Sequence, residues 1–182
     1  MSKRSKIAAI DLFCGTGGLS LGLKQGGIQV VAGIDNASSC SYPYSHNIKA
    51  RFIERSVCDV TGKELNRLWG HSDVRLLAGC APCQPFSSQR RGADTSHEKS
   101  WPLLNEFARL VQETLPDFVT MENVPRVQYS PIFNEYVHVW NMLAMMLLIV
   151  SCLVPTMVFR SVVDDWCCWL HCMTILRCLN RR

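Results

Sequence analysis

Between Ile7 and Tyr129, short apolar runs alternate with apolar positions at helical spacing, and this alternation constrains the fold more than any other feature of the chain. Ile7 to Leu12 reads as a strand, followed by a glycine turn and a helix from about Gly18 to Lys24. Gln29 to Ile34 is a second strand ending at Asp35, and Phe52 to Val57 a third, closed by Asp59. Thr61 is placed to cap a helix carrying Leu65 and Leu68. Val74 to Ala78 is the fourth strand, Leu103, Leu104, Phe107, Leu110 and Val111 recur at helical spacing, and Asp117 to Met121 is the fifth strand. Strands and helices alternating at these lengths predict an α/β domain with a mostly parallel sheet covered on both faces. A chain of 182 residues accommodates one such domain with a substantial core.

In open sheets of this kind the chemistry sits beyond the carboxyl ends of the strands, which makes the residues there the candidates. Asp11-Leu12-Phe13-Cys14-Gly15-Thr16-Gly17-Gly18 joins the first strand to the first helix. Its glycines let the backbone approach a ligand at the positive end of a helix, or simply close a tight corner. The spacing departs from G-x-G-x-x-G, which argues against a nicotinamide cofactor. Asp35 is placed either to accept hydrogen bonds from ribose hydroxyls or to cap a helix ahead of Ala37, and Asp59 invites the same two readings.

Gly79-Cys80-Ala81-Pro82-Cys83-Gln84-Pro85-Phe86-Ser87 follows the fourth strand and sets Cys83 between a proline and a glutamine. A thiol presented on a stiff loop at that edge is the candidate nucleophile; a buried structural cysteine is the ordinary alternative. Cys80 and Cys83 also have the spacing of a redox pair or half a zinc site. Gln84-Pro85 opposes the helix a redox pair expects, and zinc needs a second pair of ligands. Glu122-Asn123-Val124 follows the fifth strand, where a carboxylate is costly unless paired or used.

Charge and cysteine usage add bounds. The net charge of +4 and pI near 8.6 permit a polyanionic partner without requiring one. Met1 to Lys6 runs straight into the first strand with no cleavable signal pattern, which predicts a cytoplasmic protein with few disulfides. The ten cysteines then need another explanation: five lie beyond residue 150, while glycine stops after Gly92.

In order and spacing, Asp11–Gly18, Asp35, Asp59, Gly79–Ser87 and Glu122–Val124 resemble the motifs of the DNA cytosine-5 methyltransferases over about residues 7–139. Pro82-Cys83-Gln84 and Glu122-Asn123-Val124 are the most discriminating parts. The resemblance implies a Rossmann-like domain dependent on S-adenosyl-L-methionine, with Asp11, Phe13, Gly15 and Gly17 at the cofactor. It implies that Asp35 holds the ribose, Asp59 lies near the adenine amino group, and Leu104 packs on the adenine. Cys83 would attack carbon 6 of a flipped cytosine while Glu122 contacts the ring's N3 edge, with Gln84, Ser87, Arg90, Arg91 and Asn123 facing DNA. Arg90 and Arg91 are equally readable as a solvated basic loop. The partner implied is double-stranded DNA, bound by a monomer with no metal and no membrane, in a restriction–modification, phage or solitary setting.

After residue 139 the pattern departs from the family, which continues with a Gln-x-Arg-x-Arg segment, a target-recognition region and a last cofactor-site motif. Residues 140–182 are instead rich in Trp, Cys and Met. Met142 to Phe159 has about the minimum length of a membrane span, but Pro155 weakens that reading. Cys167, Cys168, His171 and Cys172 are too closely spaced for a good tetrahedral zinc site. A reading-frame shift explains more. Restoring one nucleotide before the Trp140 codon makes Asp164-Asp165-Trp166-Cys167-Cys168 encode Arg-Leu-Val-Leu-Leu, and forces a Gly at Met157-Val158. The restored stretch accommodates Asp-Tyr-Gly-Val-Pro-Gln-x-Arg-x-Arg-Leu-Val-Leu-Leu, the family's missing segment in its expected place. The expectation is a partial catalytic and cofactor-binding domain over 1–139, and an aberrant, poorly ordered tail over 140–182. The functional alternatives are a truncated methyltransferase and a non-catalytic remnant or membrane-tethered Rossmann-like protein.

Overall fold

The computed structural model describes residues 6–82 and 101–122. Five parallel strands, β1 (Ile7–Leu12), β2 (Gln29–Asp35), β3 (Arg51–Glu54), β4 (Val74–Gly79) and β5 (Phe118–Met121), form one sheet in the order β3-β2-β1-β4-β5. The chain moves outward from β1 through β2 to β3, then returns to pair β4 against the other side of β1. That reversal places a topological switch point at the carboxyl ends of β1 and β4.

Side chains of β1 alternate between two cores, as the period of a strand requires. Ala8, Ile10 and Leu12 join Leu65, Trp69, Phe107, Leu110 and Val111 beneath α3 (Gly62–Trp69) and α4 (Trp101–Thr114). On the opposite face Ala9 packs with Leu23, Tyr44, Ile48 and Leu76 beneath α1 (Gly18–Gln25) and α2 (Ser41–Ile48). Gly79 permits a close approach in the first core: a Cβ there would stand 2.7 Å from Phe107 Cε2 and 2.9 Å from the Leu12 carbonyl oxygen.

Thr61 caps α3 as its sequence predicts, in a reciprocal capping box with Glu64. Glu113 on α4 also accepts from the Gly62 amide at 2.7 Å, tying the helices together. Two local expectations change. The third strand begins at Arg51 and ends at Glu54 rather than running to Val57, because Ser56 initiates a 3-10 turn over Val57–Asp59 by accepting from the Cys58 amide. Asp59 therefore lies in that turn, beyond the strand. Ser38–Cys40 forms a second 3-10 turn leading into α2. The polar run Ser41-Tyr42-Pro43-Tyr44-Ser45-His46-Asn47-Ile48 gives little helical pattern, yet it buries Tyr44 and Ile48 on one face. Pro43 is tolerated because it falls in the first turn, where no amide partner is lost.

Candidate active site

The loop after β1 is built from left-handed residues. Phe13, Gly15 and Gly17 have φ values of 57°, 50° and 99°, so the chain turns sharply before α1. A Cβ on Gly15 would meet open space, whereas one on Gly17 would press on Ile48 at 2.6 Å. Gly15 thus borders a free volume, and Gly17 lies directly over α2. Helix α1 starts at Gly18 with no side-chain cap and no acidic residue in its first turn, so its positive end faces the same region.

Asp35 joins this loop to the next one. Its Oδ2 accepts from the Gly15 amide at 2.8 Å and its Oδ1 from the Ala37 amide at 2.9 Å. Asp35 is not the helix cap its position allowed: the N-cap of the 3-10 turn is Ala37, and Asp35 makes a local turn bond to the Ala37 amide with Gly15 as a second, long-range partner. A carboxylate with two oxygens retains acceptor capacity beyond these two bonds, so the ribose reading survives alongside the turn bond. Asp59 is exposed beyond β3, and Leu104 is buried at 6% exposure in the core beneath α4.

Asp11 is completely buried, on the α1 side of β1. Its Oδ2 accepts from the Ser20 hydroxyl at 2.6 Å, and that hydroxyl lies 2.8 Å from the Tyr44 hydroxyl. Oδ1 has no hydrogen-bond partner among the described residues. Burial raises the Asp11 carboxyl from its ordinary value of 3.8 to about 7, opposed by the Ser20 hydrogen bonds and assisted by the nearby Asp35 charge. Burial, followed by the Asp11 and Asp35 charges, also pushes the Cys14 thiol up, which makes it an unreactive core cysteine.

Across the switch point, Glu122 follows β5 and stands beside the end of β4. Its amide donates to the Gly79 carbonyl at 3.0 Å, and its Oε2 accepts from the Cys80 thiol at 2.9 Å. The Cys80 amide in turn donates to the Leu12 carbonyl at 3.2 Å. The end of β1, the loop entering Pro82 and the Glu122 carboxylate are thereby joined. Cys80 was legible in sequence only as the first member of a Cys-x-x-Cys spacing; its contact with Glu122 depends on the β4–β5 pairing of Gly79 with Met121.

Cys83, Gln84, Ser87, Arg90, Arg91 and Asn123 lie outside the described residues, as does the whole 140–182 segment with its membrane and zinc candidates. Among the described residues no helix is long and apolar enough to cross a membrane, and no cluster of three or more His, Cys, Asp or Glu side chains forms a metal site.

Residues 7–146 match the family model for C-5 cytosine-specific DNA methylases. The type II methylase M.HgiDII of Herpetosiphon aurantiacus is 47% identical over 133 residues, covering 71% of this chain and 37% of that protein. The type II methyltransferase M.XorII of Xanthomonas oryzae pv. oryzae is 40% identical over 119 residues, covering 63% of this chain and 27% of its own length. Among solved structures, a prophage-encoded E. coli protein described as a DNA modification methyltransferase superposes with a TM-score of 0.62 at 27% identity, covering 75% of this chain and 38% of that one. The S. pombe Dnmt2 methyltransferase shares the fold at a TM-score of 0.59 and 19% identity, over 76% and 41% of the two chains. The chain spans well under half the length of each of these four proteins.

Proposed function

The chain belongs to the C-5 cytosine-specific DNA methylase family, and from that premise we propose that it carries the cofactor-binding and bond-forming residues for methyl transfer from S-adenosylmethionine to carbon 5 of cytosine in duplex DNA. The observation that carries this reading is the junction at the switch point: Glu122 bound through Cys80 and Gly79 to the loop that leads into Pro82 and Cys83.

The donor set suits the cofactor. The left-handed loop of Phe13, Gly15 and Gly17 borders open space at the positive end of α1, which matches an amino-acid carboxylate. Asp35 stands at the adjoining strand end with acceptor capacity for ribose hydroxyls, and Asp59 and Leu104 are assigned to the adenine edge and face. Asp11 supports this loop from below. When bound, the cofactor supplies an electrophilic methyl group.

The chain's own residues supply the rest. Carbon 5 of cytosine is a poor nucleophile until conjugation is broken, and the target base must leave the stack to be reached. Cys83 as thiolate adds to carbon 6, and Glu122 at the N3 edge stabilises the charge moved onto the ring. Carbon 5 would then take the methyl group as the methyl–sulfonium bond breaks, leaving a neutral thioether. Loss of the carbon 5 proton returns an electron pair to the ring and expels Cys83 as thiolate. Gln84, Ser87, Arg90, Arg91 and Asn123 are assigned to the DNA backbone and the extruded base's surroundings. The type II relatives favour a restriction–modification setting.

Residues 140–182 are read as an out-of-frame segment, on the strength of the Arg-Leu-Val-Leu-Leu stretch recovered by restoring one nucleotide. Transfer by the chain as it stands is accordingly expected to be weak or absent. The test is labelled-methyl transfer to DNA by two forms, this chain and one with the nucleotide restored before codon 140. Restoration is expected to give transfer that Cys83→Ser abolishes. A restored gene that opens no long frame sinks the frameshift, and transfer that survives Cys83→Ser sinks the nucleophile.

A further inference from the structure

Three side chains from three elements meet beneath the cofactor loop, and two of them have no part in the chemistry assigned above. Asp11 comes from β1, Ser20 from α1 and Tyr44 from α2, and all three are 0% exposed. The Ser20 hydroxyl has one proton, and an ionised Asp11 only accepts, so Ser20 donates to Asp11 and Tyr44 donates to Ser20. The fold makes room for this arrangement. Gly33 lacks the Cβ that would collide with the Tyr44 hydroxyl and stand 2.7 Å from Cys14 Sγ, and Gly17 lacks the one that would strike Ile48. Lys24 of α1 also donates to the Ile48 carbonyl at the end of α2. Apolar residues of similar volume would cost less than a buried carboxyl with an oxygen that has no partner among the described residues, so stability alone does not account for the trio.

We propose that Ser20 and Tyr44 are positioning residues for the cofactor: with Asp11 they form a buried hydrogen-bonded relay that locks α1 and α2 onto the end of β1, and so holds the Phe13–Gly17 loop in its ligand-binding shape. The inference rests on the cofactor reading of that loop. The hydrogen bonds of the relay favour an ionised Asp11 while burial favours the neutral acid, and burial is the larger of the two. The groups facing Asp11 are Ser20 on α1, Tyr44 on α2, Cys14 in the loop and Asp35 on β2. Loop order, and with it ligand affinity, therefore falls as Asp11 loses its proton, in step with the stability of the fold.

The experiment is calorimetric binding of S-adenosylhomocysteine to the full chain from pH 5.5 to 8.5. Wild type is expected to bind less tightly as pH rises, with a midpoint near 7. Tyr44→Phe, which removes only one oxygen, is expected to weaken binding about tenfold at pH 6 and to move the midpoint upward, while Tyr42→Phe on the exposed face of the same helix changes neither. Wild-type affinity that is flat across this range overturns the relay without recourse to any variant. So does a Tyr44→Phe protein that binds as wild type. No binding by wild type at any pH overturns the cofactor reading itself, which separates the two failures.

Discussion

The two sides of the switch point are built differently. On the β1–β2 side, polar groups are fixed by one another: Asp35 bridges two loops through backbone amides, and Asp11, Ser20 and Tyr44 close a buried network. On the β4–β5 side, Glu122 is described by one backbone bond and one thiol contact, at the end of a short strand with no fully buried residue. Under the proposed function, the difference separates two tasks. A cofactor site gains affinity from being rigid before its ligand arrives, because ordering costs are met on folding. A carboxylate that must follow charge onto a substrate ring gains from lighter restraint.

This contrast is sharpest at Asp35. Asp35→Ala removes the acceptor of two backbone amides in separate loops and is expected to lower stability by about 2–3 kcal/mol, measured by urea unfolding. A loss below half a kcal/mol would show that the loops hold themselves and would erase the asymmetry.

The pH response comes next. The folded-state pKa of Asp11 is raised, so the folded protein keeps this proton over a range where the unfolded chain has released it. The stability linked to that proton is complete below about 4 and is lost as pH rises through about 7, by at most about 4 kcal/mol. Asp11→Asn keeps an acceptor for Ser20 and carries no charge. Its melting temperature is expected to exceed wild type at pH 8 and to converge with it towards pH 4; a constant offset across that range would contradict the assignment.

The smallest effect is expected on the other side. Cys80→Ala removes a single thiol donor to a part-buried carboxylate and should cost no more than about 1 kcal/mol in the same urea measurement. A loss equal to that of Asp35→Ala would make the two sides equivalent.

What was legible in the sequence follows the same division. The five strands and helices α1, α3 and α4 are written in apolar runs and helical spacing, and Thr61 with Glu64 announces its cap within four residues. The family was readable because its motifs are short and ordered along the chain. Helix α2 was missed because its burial rests on only Tyr44 and Ile48 within a polar run containing Pro43. The bonds of Asp35 to Gly15 and of Cys80 to Glu122 join residues 20 and 42 positions apart. Such pairings are fixed by strand order, which no local window contains. Ser20 and Tyr44 carried no signal as functional residues, since a serine and a tyrosine within helices are ordinary in any sequence.

Phe13 has one more consequence. A bulky side chain held at φ 57° occupies a backbone region that disfavours everything but glycine and small polar residues, at a cost on the order of 1–2 kcal/mol. Selection for heat resistance alone would therefore drift towards glycine or asparagine at this position, trading the aromatic surface that the proposed function assigns to the cofactor for a relaxed turn. Libraries screened only for folding would discard the residue, and the binding site would decay while the protein became more robust.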